Sequence, residues 1–370
     1  MIGLVVSTTA LSQHLPAYEL EREMPVFLDQ LKKELTYPMA WGNSPVKNFK
    51  KWRRQARAAV LDAMLAPPPY TTDYKTEVIA EEQREGYRAK KLCFNLTGYS
   101  RVNAYVLIPN GEGPFPAVVL LHDHGGHYTI GKEKMIRPFG VDKTVLDDSD
   151  NWAANCYGGQ YVGDYLAAHG YVVISVDALY WGERGRKEGA DGSKYADNAG
   201  NFMMLGRSLS AFMNYEDMYT TDYLATLPEV DAKRIACMGF SMGGYRAWML
   251  SALSDKIQVG AAICWMNTTD CQFSWEYGRE RGGFANMLPG IRRYLDYPHI
   301  ASIACPMLFL NGEHDKLFPP VGVRDAFAEM HKVWESRSAG DRLVTELWDM
   351  PHDCGKKVQA KILDFLNKWL

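Results

Sequence analysis

A serine flanked by two glycines is the residue in this chain best placed to do chemistry. Gly239, Ser241 and Gly243 follow the apolar run 235–238, and a segment with helical spacing comes next. A serine in a tight turn between a strand and a helix presents its Oγ as a nucleophile, because small residues two positions away relieve backbone crowding. The same turn aims the amide of Met242 at a tetrahedral oxyanion. The pattern therefore predicts a nucleophile elbow.

A catalytic serine needs a base and an orienting acid, and these distinguish it from an incidental serine in a glycine-rich turn. In a strand–turn–helix site the acid follows the serine and the histidine follows the acid. Asp315 ends one apolar run, with Glu313 as the alternative acid, and His352 follows the last apolar run. We therefore expect a triad in which His352 is the base of Ser241 and Asp315 orients the imidazole.

A second oxyanion donor is expected from the loop after the apolar run 117–121. That loop has the sequence His-Asp-His-Gly-Gly-His over residues 122–127. Backbone amides at such a position can stabilise the charge that develops on the substrate oxygen. The amide of His124 is the predicted donor, and that of Asp123 is the alternative.

The same loop carries a competing hypothesis. His122, His124 and His127 have the spacing of a zinc-binding loop, which would make the protein a metal-dependent hydrolase. Gly126 stands where that motif requires an aspartate, and the serine triad would be left unexplained. We therefore predict no metal site and keep the zinc hydrolase as an alternative.

Nine apolar runs predict the strands that position these residues. The first three are separated by short turns, as in an antiparallel meander, and the others by helix-length segments, as in a parallel sheet with crossover helices. The carboxyl ends of parallel strands share one edge, so the predicted triad would meet there. The runs are 75–82, 87–96, 102–108, 117–121, 171–176, 235–238, 259–263, 306–310 and 344–348.

The domain organisation follows from the change in pattern near residue 70. Residues 1–70 are predicted to be a tail and a helical extension packed on the core, with helices over 25–35 and 48–65. Residues 71–370 are predicted to form the catalytic domain. Three insertions in it are predicted as long loops on one rim of the sheet: 128–159, 178–206 and 265–298.

Composition restricts the partners. The net charge of -3 argues against nucleic acid or an anionic membrane surface, and no apolar run reaches the roughly 18 residues of a membrane span. The seven cysteines are scattered without a CxxC pair, so neither a zinc ribbon nor a disulfide scaffold is expected. Ten tryptophans and twenty-one tyrosines offer flat faces that suit sugar rings. Nothing in the sequence specifies an oligomeric state.

Four residues are the predicted substrate contacts. Trp181 and Arg184 follow a strand end, and together they offer an aromatic face and a guanidinium group for an acidic sugar, with Arg186 as the alternative cation. Trp265 begins the third insertion, and Asp123 lies beside the predicted oxyanion site. We expect these side chains to contribute to specificity.

With these residues the chain resembles the α/β-hydrolase superfamily, and within it the dienelactone-hydrolase and acetylxylan-esterase-like branch. The resemblance spans about residues 45–370, although Asp123 stands where the superfamily often has glycine. It implies an eight-stranded, mostly parallel sheet flanked by helices, the Ser-Asp-His triad and no cofactor. The motifs that carry it are Leu-Leu-His122-Asp-His-Gly-Gly, Val-Asp177-Ala-Leu-Tyr-Trp-Gly-Glu-Arg184, Met-Gly-Phe-Ser241-Met-Gly-Gly, Asn-Gly-Glu-His-Asp315 and Pro-His352.

The expected activity is that of a serine carboxylic-ester hydrolase with an acyl-enzyme intermediate. The favoured substrate is an O-acetyl or methyl ester on a plant polysaccharide, and the resemblance to exported bacterial carbohydrate esterases implies a periplasmic or secreted protein, with a cytoplasmic one as the alternative. Residues 1–13 would then be the remnant of a signal peptide or a disordered tail. The remaining alternatives are a serine peptidase of prolyl-oligopeptidase type and an inactive binding protein on the same fold.

Overall fold

A nine-stranded β-sheet forms the centre of the computed structural model, which describes residues 18–22, 24–277, 283–288 and 290–370. The predicted signal remnant or tail over 1–13 lies outside the described residues. The strands are β1 (Leu20–Glu21), β2 (Met24–Pro25), β3 (Glu77–Arg84), β4 (Tyr87–Asn95), β5 (Arg101–Pro109), β6 (Phe115–Leu121), β7 (Val172–Val176), β8 (Val230–Phe240), β9 (Ile257–Ile263), β10 (Met307–Gly312) and β11 (Leu343–Trp348).

The large sheet has the order β3-β4-β5-β7-β6-β8-β9-β10-β11, and β1 pairs with β2 separately. The pairs from β3 to β7 are antiparallel, and the pairs from β7 through β6 to β11 are parallel. The expected α/β class is confirmed. The sheet has nine strands instead of the eight that the resemblance implies, because the turn at Gly86, with its φ of 85°, folds β3 back onto β4 as an added antiparallel edge.

Helices cover both faces of the sheet. One core cluster includes residues of α2, α6, α7, α9 and α10, and the second includes residues of α4 and α11. The helices are α1 (Leu28–Lys33), α2 (Phe49–Ala63), α3 (Lys143–Cys156), α4 (Val162–Ala168), α5 (Tyr195–Met204), α6 (Leu209–Leu224), α7 (Met242–Leu253), α8 (Thr269–Gln272), α9 (Tyr297–Ala301), α10 (Pro320–Glu335) and α11 (Lys356–Trp369). None of these described helices combines the length and the apolarity that crossing a bilayer requires.

The helix predicted over 48–65 is observed as α2. Asn48 caps it by accepting a hydrogen bond of 3.0 Å from the amide of Lys51. Trp52, Ala56 and Val60 recur at helical spacing and are buried in the core that α2 shares with the sheet. The helical extension therefore packs on the sheet through one apolar stripe.

The three insertions contain helices, so their prediction as long loops is wrong. The first contains α3, the second contains α5, and the third contains α8. Their short apolar segments become helical because they bury a few residues against neighbouring elements, such as Ala153 of α3 and Tyr195 of α5. α3, α5 and α8 follow the carboxyl ends of β6, β7 and β9, respectively.

Candidate active site

Ser241 occupies a strained turn between β8 and α7. Its backbone has a φ of 56° and a ψ of -122°, a conformation that is costly for any residue with a side chain. Two hydrogen bonds hold the turn: the Ser241 amide donates to the carbonyl of Ile263 at 2.9 Å, and the Tyr245 amide donates to the Ser241 carbonyl at 3.1 Å. The predicted elbow geometry is therefore present.

The two flanking glycines are required by close backbone packing. A Cβ on Gly239 would lie 2.1 Å from the carbonyl oxygen of Gly243, and a Cβ on Gly243 would lie 1.8 Å from that of Leu121. No Cβ can approach an oxygen so closely without displacing the backbone. The missing side chains therefore let the elbow pack directly against the end of β6.

Gly243→Ala is expected to destabilise the protein by more than about 3 kcal/mol, because the added methyl group overlaps the backbone of Leu121. The matched control is Gly200→Ala inside α5, where an added Cβ has no atom within 4 Å. That control should be neutral or stabilising by about 1 kcal/mol. Urea denaturation measures both variants, and equal stabilities would contradict the packing account.

Asp315 and His352 form a direct hydrogen-bonded pair at the ends of β10 and β11. The His352 Nδ1 lies 2.6 Å from Asp315 Oδ2, and the Leu317 amide donates to Asp315 Oδ1 at 2.9 Å. An ionised carboxylate only accepts hydrogen bonds, so Nδ1 carries a proton in this pair. The Asp315 side chain is fully buried, whereas that of His352 is 24% exposed. The geometry leaves His352 Nε2 available for a further proton transfer.

Ser241 leaves the same edge of the sheet as this pair, because β8, β10 and β11 lie parallel with only β9 inserted between β8 and β10. The ring of Phe240, the residue before the serine, has its centroid 4.7 Å from that of the His352 imidazole. The Phe318 ring stacks on the same imidazole, with a centroid distance of 6.2 Å. The structure therefore pairs Asp315 with His352 and places Ser241 at the same edge of the sheet.

Cys264 adjoins the acid–base pair, which sequence analysis did not anticipate. Its Sγ and the nearest ligand atoms of Asp315 and His352 lie within 4.8 Å of one another. Burial, and then the negative charge of Asp315, raise the pKa of the Cys264 thiol. The neutral thiol is therefore favoured over the thiolate that metal binding requires.

A second group of possible metal ligands, Glu133, Asp177 and Glu183, is occupied by a lysine. Lys132 Nζ lies 2.7 Å, 2.8 Å and 2.7 Å from these three carboxylates, and Lys91 binds Glu183 at 2.7 Å. Asp177 also accepts the backbone amides of Lys132 and Glu183, and Glu133 accepts that of Gly131. The cluster is a buried ion-pair network beneath the site.

The Asp123 side chain points into the protein. One carboxylate oxygen accepts hydrogen bonds from the Tyr157 hydroxyl at 2.7 Å and from Trp152 Nε1 at 3.1 Å, and the other lies 3.4 Å from Lys134 Nζ. The residue is 1% exposed. The prediction that Asp123 contacts substrate is therefore corrected: its carboxylate holds the loop from below.

The three histidines of the loop have separate hydrogen-bond partners, which argues against the zinc alternative. His122 Nδ1 lies 2.8 Å from the carbonyl of Asp123, and its Nε2 accepts the Ala178 amide at 2.9 Å. His127 Nε2 pairs with Asp148 at 2.7 Å. His124 Nδ1 accepts the amide of Gly126 at 3.0 Å. Because both nitrogens of His122 have partners, it has no lone pair to offer a shared metal.

His124 is expected to make stability fall in mild acid. Burial, and then the charge of Lys134, lower its pKa to about 4, so the unfolded chain, with a pKa near 6.5, binds more protons between these values. Unfolding free energy should therefore decrease as pH falls through this window, and His122, whose pKa burial also lowers, adds to the effect. His124→Gln should flatten the slope by no more than about 1 kcal/mol per pH unit in urea titrations. Identical slopes would contradict this account.

Two of the other three predicted substrate contacts are buried, and the third is held in an ion pair. Trp181 is fully buried and donates from Nε1 to the His124 carbonyl at 3.2 Å. Arg184 forms a two-point ion pair with Glu216 at 2.7 Å and 2.6 Å. Trp265 is 2% exposed among aromatic rings of the core. These predictions are corrected: all three side chains support the loops around the site, because their polar atoms and faces already have protein partners.

A comparison with protein families gives a match to the Abhydrolase family over residues 5–330. The chain belongs to this α/β-hydrolase family. The match includes the elbow and Asp315 and ends before His352, so the histidine rests on the geometry described above. The expected family and fold are confirmed.

Relatives agree with this membership along most of the chain. YtaP of Bacillus subtilis strain 168, named as a hydrolase, is 28% identical over 320 residues, which are 86% of this chain and 100% of YtaP. A Bacteroides fragilis structure described as an acetyl xylan esterase has a TM-score of 0.69 at 21% identity and covers 87% of this chain and 81% of its own. A glucuronoyl esterase from Solibacter usitatus has a TM-score of 0.62 at 15% identity and covers 88% and 94%. These two structures share the α/β-hydrolase fold.

Proposed function

We propose that this protein is a serine carboxylic-ester hydrolase that acylates Ser241. The observation that carries the proposal is the 2.6 Å hydrogen bond between His352 Nδ1 and the buried Asp315, at the sheet edge where the strained Ser241 elbow ends. A serine, an imidazole and a carboxylate in this order along an α/β-hydrolase sheet are suited to acyl transfer. The two structural relatives described above are also named as esterases.

In the first half-reaction, Ser241 Oγ attacks the ester carbonyl while His352 Nε2 accepts the hydroxyl proton. Asp315 stabilises the resulting imidazolium through Nδ1. The tetrahedral oxyanion is bound by the amide of Met242, which begins α7 and has no acceptor within its own helix, and by the amide of His124. The intermediate collapses when His352 returns the proton to the departing alcohol, leaving an acyl ester on Ser241. In the second half-reaction His352 accepts a proton from the water that attacks this ester. It then returns the proton to Ser241 Oγ as the acid is released.

The substrate that we propose is a carbohydrate carrying an O-acetyl or methyl ester. The two structural relatives are named as an acetyl xylan esterase and a glucuronoyl esterase, which supports this class. The rings of Tyr128 and Phe284, which are partly exposed, adjoin the aromatic cluster around His124 and offer flat faces to a sugar. We also propose a periplasmic or secreted location, because a polysaccharide substrate lies outside the cytoplasm.

The test compares the wild type with Ser241→Ala on acetylated xylan and on methyl-esterified pectin, with and without a chelator. Release of acetate or methanol by the wild type alone, unaffected by the chelator, is the expected result. Loss of activity with the chelator would favour a metal-dependent hydrolase, and cleavage of peptide anilides without ester cleavage would favour a serine peptidase. Full activity of the alanine variant would contradict the proposal.

A further inference from the structure

Lys134 is a fully buried lysine beneath the loop that follows β6. Its Nζ donates to the carbonyl of Asp123 at 3.1 Å and to the carbonyl of His124 at 3.1 Å. The same ammonium lies 3.4 Å from the Asp123 carboxylate and 4.9 Å from the centre of the Trp152 ring. Its three N–H groups therefore have three oxygen acceptors, two of which are consecutive backbone carbonyls.

The direction of these carbonyls fixes the direction of two amides. In a planar trans peptide, the C=O and N–H bonds point in opposite directions. Because Lys134 holds the Asp123 carbonyl, the His124 N–H points away from the lysine, and because it holds the His124 carbonyl, the Gly125 N–H does so too. Within the described part of the chain, neither amide has a hydrogen-bond acceptor.

Other donors reinforce this orientation. The Asp123 carbonyl also lies 2.8 Å from His122 Nδ1, and the His124 carbonyl also accepts a hydrogen bond of 3.2 Å from Trp181 Nε1. Lys134 is the one group among these that contacts both carbonyls. Removal of the Lys134 ammonium would therefore remove the one donor that the Asp123 and His124 carbonyls share.

Gly125 is suited to the role that this geometry gives it. Its φ is 60°, and a Cβ would lie 2.3 Å from the Trp152 ring and 2.9 Å from Asp123 Oδ1. A side chain is therefore excluded on the inner side of the loop, and the residue itself is exposed on the outer side. Consecutive amides that point the same way form a concave site for an anionic oxygen.

We propose that Lys134 is a positioning residue that sets the oxyanion loop, and that the amides of both His124 and Gly125 bind the substrate oxyanion together with that of Met242. The inference rests on the proposed function, since an oxyanion forms only if Ser241 attacks an ester. Lys134 does not touch the substrate in this account. It acts by holding two peptide planes so that their donors are in place before the charge develops.

Lys134→Met and Lys134→Gln test the proposal on an aryl acetate. Lys134→Met should lower kcat by about 100-fold, the cost of losing an oxyanion donor, and leave KM within about threefold of the wild type. Lys134→Gln, which retains donors, should lose less. The control Lys143→Met removes an exposed lysine whose ammonium pairs with Asp147, and its kcat should stay within about threefold of the wild type. Hydrogen exchange should be faster in the peptide spanning 122–127 of Lys134→Met than in the wild type.

Circular dichroism establishes that each variant is folded before its kinetics are interpreted. If Lys134→Met does not fold, the kcat and KM of Lys134→Gln test the positioning role. A folded Lys134 variant with wild-type kcat, or one with a raised KM and an unchanged kcat, would overturn the proposal. If the wild type shows no Ser241-dependent ester hydrolysis, the proposed function fails instead. Unchanged exchange over 122–127 in the folded variant would then overturn the positioning role as well.

Discussion

Ser241→Ala will lower kcat for ester hydrolysis by about 10⁴- to 10⁶-fold, because no other group at the elbow can form the acyl-enzyme. The variant should stay folded, since alanine keeps the Cβ and removes one atom from a side chain that is 8% exposed. Steady-state kinetics on an aryl acetate measure the loss, and urea denaturation checks the fold.

Ser254 offers a matched control for this variant. It lies at the other end of α7 and is also 8% exposed, with its hydroxyl accepting the Lys256 amide at 3.3 Å. Ser254→Ala should retain kcat within about twofold, because it lies outside the proposed chemistry. A comparable loss in both variants would mean that disturbance of α7, and not removal of the nucleophile, causes the effect.

Asp315→Asn will lower kcat by about 10⁴-fold with little change in stability. The Leu317 amide donates to Oδ1, so the single carbonyl oxygen of an asparagine would take that position and its NH₂ group would face His352. An NH₂ group only donates, which forces Nδ1 to become the acceptor and places the imidazole proton on Nε2. In that tautomer His352 cannot accept the proton of Ser241.

A nearby carboxylate offers a control for this explanation. Asp349→Asn changes a carboxylate that pairs with His314 at 2.7 Å and is 88% exposed, and it should leave kcat within about twofold of the wild type. An Asp315→Asn enzyme with wild-type kcat would show that the buried carboxylate does not set the tautomer. It would also remove the main support for the proposed acid–base pair.

The framework of the proposed triad was predictable because its signals are local. Ser241, Asp315 and His352 each follow an apolar run that forms a strand, and parallel strands deliver their ends to one edge. The glycines beside the elbow likewise indicate close packing in the sequence itself. Strand order alone predicted that the three residues would lie at one edge of the sheet.

The surroundings of the site were not predictable, because they depend on partners distant in sequence. Arg184 looks available until its ion pair with Glu216, 32 residues away, is seen. Lys132 and Lys134 alternate with a glutamate, a pattern typical of an exposed turn, yet both lysines are fully buried and paired. A sequence shows which groups are charged, whereas only the fold shows which carboxylates and carbonyls compensate the cost of burying them.

The most direct test of the proposed nucleophile is the site at which an alkyl fluorophosphonate reacts. Ser241 should be phosphonylated, with the adduct found by mass spectrometry on the peptide containing Gly-Phe-Ser241-Met-Gly. Labelling should track the loss of esterase activity and should disappear in Ser241→Ala. Stoichiometric labelling of another residue, or full esterase activity after Ser241 is modified, would contradict the account.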